Sequence, residues 1–146
     1  MADPHTPSAV GGLRFDFIEL GRGPAVVFLH GLFGSSANWR PIRDALRADF
    51  HLLALEYPFL DDKRLHNVRA LTDYTLAFLD ELGLERFTLC GNSLGGQIAL
   101  DLALKHPDRV ERLVLTGSAG LWEAQSNGQL PKATRAFIRE QAERVF

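Results

Sequence analysis

The 146-residue sequence predicts an α/β fold: a mostly parallel sheet flanked by helices on both faces. Three observations lead there. Short, predominantly apolar runs such as "AVVFL", "HLLAL" and "RFTLC" are the length of strands buried on both sides. Amphipathic stretches at helical spacing separate them, and glycine, proline or polar clusters mark nearly every change from one to the other.

Taken in order, residues 1–12, "MADPHTPSAVGG", are rich in proline and polar residues and read as a flexible leader. They lack the basic start and apolar run of a secretory signal. Residues 13–21, "LRFDFIELG", set Phe15, Phe17 and Glu19 against Arg14, Asp16 and Ile18, an outer strand. Ala25 to Leu29 is a buried strand. "SSANWRPIRDALRADF" has polar cap candidates, an early proline, and Ile42 and Leu46 four apart, so a short helix is expected. "HLLALEYP" is the next buried strand. Over residues 68–82, Leu71, Thr75, Phe78, Leu79 and Leu82 form a helical stripe that Gly83 ends. "RFTLC" is a strand, "LGGQIALDLALKHP" a helix with Ile98, Ala99, Leu102 and Ala103 on one side, and "RVERLVLTGS" a further strand. From Pro131, the residues Ile138, Ala142, Val145 and Phe146 share a face of another helix, and the sequence stops within it without a cap. Residues 121–146 therefore read as the start of a further segment, cut short.

Composition narrows the possible functions. With 46% apolar residues and a net charge of -2, the chain has the length and core of one domain. Its 16 basic and 18 acidic residues are interspersed, which argues against nucleic acid as a partner. No apolar run reaches the roughly 18 residues of a membrane span. The single cysteine, Cys90, has no partner for an intrachain disulfide, and a reducing cytoplasm fits best. "GRGPAV" places a proline and a strand where a dinucleotide loop needs glycine and a helix. With no GxxxxGK, HExxH or paired CxxC, neither a cofactor nor a metal is implied.

The chemistry centres on "FTLCGNSLGGQIAL". Ser93 stands between Gly91 and Gly95 where a strand run gives way to a helix run. GxSxG alone is weak, since it recurs by chance in about one chain of this length in twenty. The strand-to-helix context is what gives it weight, because such a sharp turn lifts a serine hydroxyl above the carboxyl edge of a parallel sheet. Side chains at Gly91 or Gly95 would collide with neighbouring backbone, and Gly96 leaves room for the helix to pack on the sheet. The free amides of the helix N-terminus would face developing negative charge. A second motif, "FLHGLFG", puts His30 and Gly31 after another buried strand. Two oxyanion donors are thereby expected, the backbone N–H groups of Leu94 and Leu32, with Phe33 as second choice to Leu32.

In this arrangement of motifs the chain resembles the N-terminal half of the α/β-hydrolase superfamily over residues 13–120. "GNSLGGQIALDLALKHPDRVERLVL" is close to members that hydrolyse esters or carbon–carbon bonds in ring-cleavage products. The resemblance implies a serine hydrolase acting on a small acyl substrate, with Ser93 as nucleophile and His30 supporting the loop. One departure is that Glu56, Tyr57 and Pro58 occupy a place where members often carry an aspartate and a glycine-rich turn. The family's acid and histidine follow later strands, and no histidine lies beyond His106. His5, His30, His51, His66 and His106 each have a simpler role, and Glu123 has no histidine to orient. No acid or base is therefore expected in this chain. Its activity would be weak, the alternative being a noncatalytic fragment or interaction module. The strand "RLVLTG" would have an open edge, through which the chain would self-associate or take up a missing C-terminal piece.

Overall fold

A computed structural model describes residues 6–10, 12–58 and 65–118. Six strands form one sheet: β1 (Thr6–Val10), β2 (Leu13–Leu20), β3 (Ala25–Leu29), β4 (His51–Glu56), β5 (Phe87–Asn92) and β6 (Val110–Thr116). Their order is β1-β2-β4-β3-β5-β6. β4, β3, β5 and β6 run parallel, while β1 and β2 are antiparallel additions at one side. A 3-10 turn (Ser36–Trp39) leads into α1 (Arg40–Leu46), and α2 (Val68–Glu81) and α3 (Leu94–Lys105) complete the described elements.

The core has two parts, one on each face of the sheet. On one face, Phe15, Phe17, Val27, Leu29, Leu53, Leu55 and Leu89 meet Leu71, Tyr74, Phe78 and Leu79 of α2 and Ile98, Ala99 and Leu102 of α3. On the other, Ile18, Phe28, Leu52, Ala54 and Cys90 pack with Trp39, and Leu46 closes the edge. Helices thus cover both faces, as the uninterrupted apolar runs of β3 and β4 require. α2 begins at Asn67, whose Oδ1 accepts the Ala70 N–H at 2.9 Å.

Three expectations need correction. Residues 6–10 are not part of a leader. They form an edge strand in register with β2, pairing Thr6 with Phe17 and Val10 with Leu13. Its proline is compatible with that position, because an edge strand need not use every N–H. β2 is consequently not the outermost strand, and both its faces are covered: Phe15 and Phe17 pack on one side and Ile18 on the other. In α1, the inward residue is Arg43, fully buried, while Ile42 is 43% exposed. A helix of two turns is too short for an i, i+4 apolar pair to fix which face packs. Residues 1–5, the further segment over residues 121–146 and the helix expected from Pro131 lie outside the described residues.

Candidate active site

Leu29 pairs with Gly91 and with Leu55, and Asn92 pairs with Thr116, so β3, β4, β5 and β6 bring their carboxyl ends to one edge. From β3 the chain reaches β4 on one side and β5 on the other. Such a change of direction is where open α/β sheets place a binding crevice. Both singled-out motifs emerge there.

Ser93 is the residue between β5 and α3, and its backbone (φ 51°, ψ -117°) makes it the one non-glycine residue with positive φ among those described. Such a conformation is strained, and here its surroundings hold it. The Ser93 carbonyl accepts the Gly96 and Gln97 N–H groups at 3.1 and 3.2 Å, while Ser93 N–H reaches the Thr116 carbonyl at 3.4 Å. Asn92 Nδ2 donates to the same Thr116 carbonyl at 2.6 Å. The flanking glycines are sterically required. A Cβ on Gly91 would lie 2.6 Å from Gly96 Cα, and one on Gly95 would lie 2.7 Å from the His30 carbonyl oxygen. A Cβ on Gly96 would likewise lie 2.8 Å from Ser118 Cβ. Ser93 itself is exposed, and Leu94 is the first residue of α3, so its N–H is one that the helix leaves unbonded.

Opposite lies the loop after β3. A Cβ on Gly31 would come within 3.2 Å of Ser93 Cβ, so the two turns are in near contact. Gly34 N–H closes the loop on the Gly31 carbonyl at 2.9 Å. Leu32 and Phe33 sit at its tip, 40% and 45% exposed. His30, 1% exposed, is turned away beneath it. Its Nδ1 is 2.7 Å from the Gly31 carbonyl, and its Nε2 lies 3.1 Å from the Tyr57 N–H and 3.2 Å from Glu56 Oε1. Glu56 Oε2 also accepts the Ser36 N–H at 2.7 Å. Partial burial would push the Glu56 carboxyl up, but the bonds from His30 and Ser36 outweigh it and hold it below the usual glutamate range.

No histidine is hydrogen-bonded to Ser93 among the described residues. His51 begins β4 at the opposite edge of the sheet and pairs with Glu19 at 2.7 Å. His106 caps the far end of α3, about 18 Å along the helix axis from Ser93. His66 is bonded to the Asn67 side chain at 3.1 Å. His5 and Glu123 fall outside the described residues. Cys90 is buried next to the site, and burial raises its thiol above the ordinary range, as suits an inert packing residue. No group of three metal-binding side chains occurs among the described residues, and no described helix is long and apolar enough to cross a membrane. The residue that sequence reasoning missed is Glu56. Its departure from the family pattern was visible, but its bond to Ser36 was not.

The chain is similar to several known proteins. Over 118 residues the chain is 36% identical to the 2-hydroxymuconate semialdehyde hydrolase of Pseudomonas sp. (strain CF600), covering 75% of this chain and 42% of that protein. It is 38% identical over 98 residues to the pimeloyl-[acyl-carrier protein] methyl ester esterase of Nitrosomonas europaea, covering 67% and 38%. A solved structure described among novel epoxide hydrolases of the alpha/beta hydrolases superfamily, from metagenomes of hot environments, superimposes with a TM-score of 0.75. It is 25% identical and covers 81% of this chain and 43% of that one. The chain thus spans about two-fifths of the length of the curated relatives it matches. The family model of the alpha/beta hydrolase fold matches residues 24–146, and the chain belongs to that family.

Proposed function

We propose that the chain is the nucleophile-bearing part of a serine hydrolase, in which Ser93 attacks the carbonyl carbon of a small ester or carbon–carbon substrate. The backbone N–H groups of Leu94 and Leu32 hold the resulting oxyanion, with Phe33 as second choice for the loop donor. The observation that carries this reading is the strained turn at Ser93, at the N-terminus of α3 and against the Gly31 loop. The relatives' names, one a semialdehyde hydrolase and one a methyl ester esterase, support the reaction class. The lone buried Cys90 is in keeping with a cytoplasmic location.

A second reading, that these 146 residues act as a noncatalytic fragment or interaction module, is favoured by the placement of the histidines. Each described histidine is held away from Ser93 by partners or by distance. A serine without its base keeps only the gain from binding and the oxyanion hole, about 10³–10⁴ over water. A fluorophosphonate probe separates the readings. Slow labelling of the 146-residue chain, confined to Ser93 and abolished in Ser93→Ala, is the expected outcome. Labelling that persists in Ser93→Ala would remove the nucleophile assignment. Turnover of p-nitrophenyl acetate near the usual enzymatic rate of about 10 s⁻¹ would reject the noncatalytic reading.

A further inference from the structure

Among the described residues, the Glu56 carboxylate is the half-buried acid at the site that the proposed chemistry leaves unused. It extends from the carboxyl end of β4 towards the loop that follows β3. Oε2 accepts the Ser36 N–H at the loop's far end, while Oε1 lies 3.2 Å from the ring of His30 at its near end. The ring is fixed in turn by its Nδ1–H, which donates to the Gly31 carbonyl, and by an edge contact with the Tyr57 ring at 5.3 Å between centroids. One side chain therefore links both ends of the segment that carries Leu32 and Phe33. The tip of that segment, exposed as it is, has little packing of its own, so the position of its amides is set from its ends. Oxyanion donors act by being in place before charge develops.

From this geometry we infer that Glu56 is a positioning residue: it clamps the ends of the Leu32–Phe33 loop and so holds the loop's oxyanion donor opposite Leu94. The inference rests on the proposed role of Leu32 and Leu94, and it explains the departure at this position. An aspartate is one carbon shorter and would not span from β4 to Ser36 along the same path. Glutamine keeps an oxygen acceptor at full reach, and alanine removes the clamp.

Amide hydrogen exchange on the 146-residue chain tests the clamp independently of reactivity. In Glu56→Ala, exchange at Gly34 and Ser36 should rise at least about tenfold, while Leu53 and Leu89 in the sheet stay within about twofold; Glu56→Gln should retain most of the protection at Ser36. Ser36→Pro, which removes the N–H donor at the first position of a helical turn together with the buried hydroxyl that also bonds Glu56, should loosen Gly34 in the same way. The phosphonylation rate of Ser93 should fall on the order of 10²-fold in Glu56→Ala and recover to within about fivefold in Glu56→Gln. The clamp is overturned if Gly34 and Ser36 exchange as in the unsubstituted chain, or if the sheet amides accelerate equally. A rise in loop exchange with no fall in the Ser93 rate overturns the positioning role. An unsubstituted chain in which Ser93 never reacts defeats the nucleophile assignment instead, and the exchange result still decides whether the clamp exists.

Discussion

Ser93 keeps a left-handed backbone because the residues around it leave no other path, and the glycines are part of that constraint. A methyl group on Gly95 would press on the carbonyls of Leu29 and His30, joining the elbow to the loop strand by a clash between backbones. Gly95→Ala should therefore cost about 3 kcal/mol by urea denaturation. Gly12→Ala, where the added atom meets nothing within 4 Å, should cost only about 1 kcal/mol for its left-handed backbone. Equal losses at the two positions would show that the close approach at Gly95 is unimportant. Glu56 makes a prediction in pH. Its folded pKa lies below the ordinary 4.5, so its bonds contribute fully above that value and are lost as pH falls through the lower folded one. The contribution of Glu56 to the thermal midpoint should be flat above about pH 5 and fade below it, so that the acid limb is less steep in Glu56→Gln. An identical acid limb in the variant would refute the linkage. These residues differ in how legible they were. Gly91, Ser93 and Gly95 form a pattern readable within five consecutive positions, although the clash that Gly95 avoids is with Leu29 and His30. Glu56 acts on Ser36, and nothing local announces that β4 will deliver one to the other.

At the level of elements, β3, β4, β5 and α2 were readable because their burial follows from their own periodicity. β1 was not, since a strand at a sheet edge needs few apolar residues and takes its stability from the ladder it joins. The same reasoning applies in reverse at the other edge. β6 pairs with β5 alone among the described residues, and Val114 is 45% exposed. We propose that a strand adds there, from a second copy or from residues beyond 118, because the outer backbone groups of β6 pair with no described strand. The 146-residue chain should sediment above its 16.2 kDa monomer mass, and Val114→Lys should return it towards monomer. A monomeric chain that unfolds cooperatively would count against this.

Across the whole molecule, the site is a product of topology: four parallel strands deliver two loops and one carboxylate to a common edge, with the helices sorted to either face. The alternation of apolar runs and amphipathic stretches was enough to anticipate the sheet and its coverings. It could not give strand order, which depends on crossings between distant segments. That order has a consequence for assembly. Val27 of β3 pairs with Leu53 on one side but must wait for Leu89 on the other. At a synthesis rate of 5–20 residues per second, β5 emerges roughly 3–12 s after β3. For those seconds one side of an entirely apolar strand is open to any other chain, and the elbow that carries Ser93 arrives with the strand that closes it.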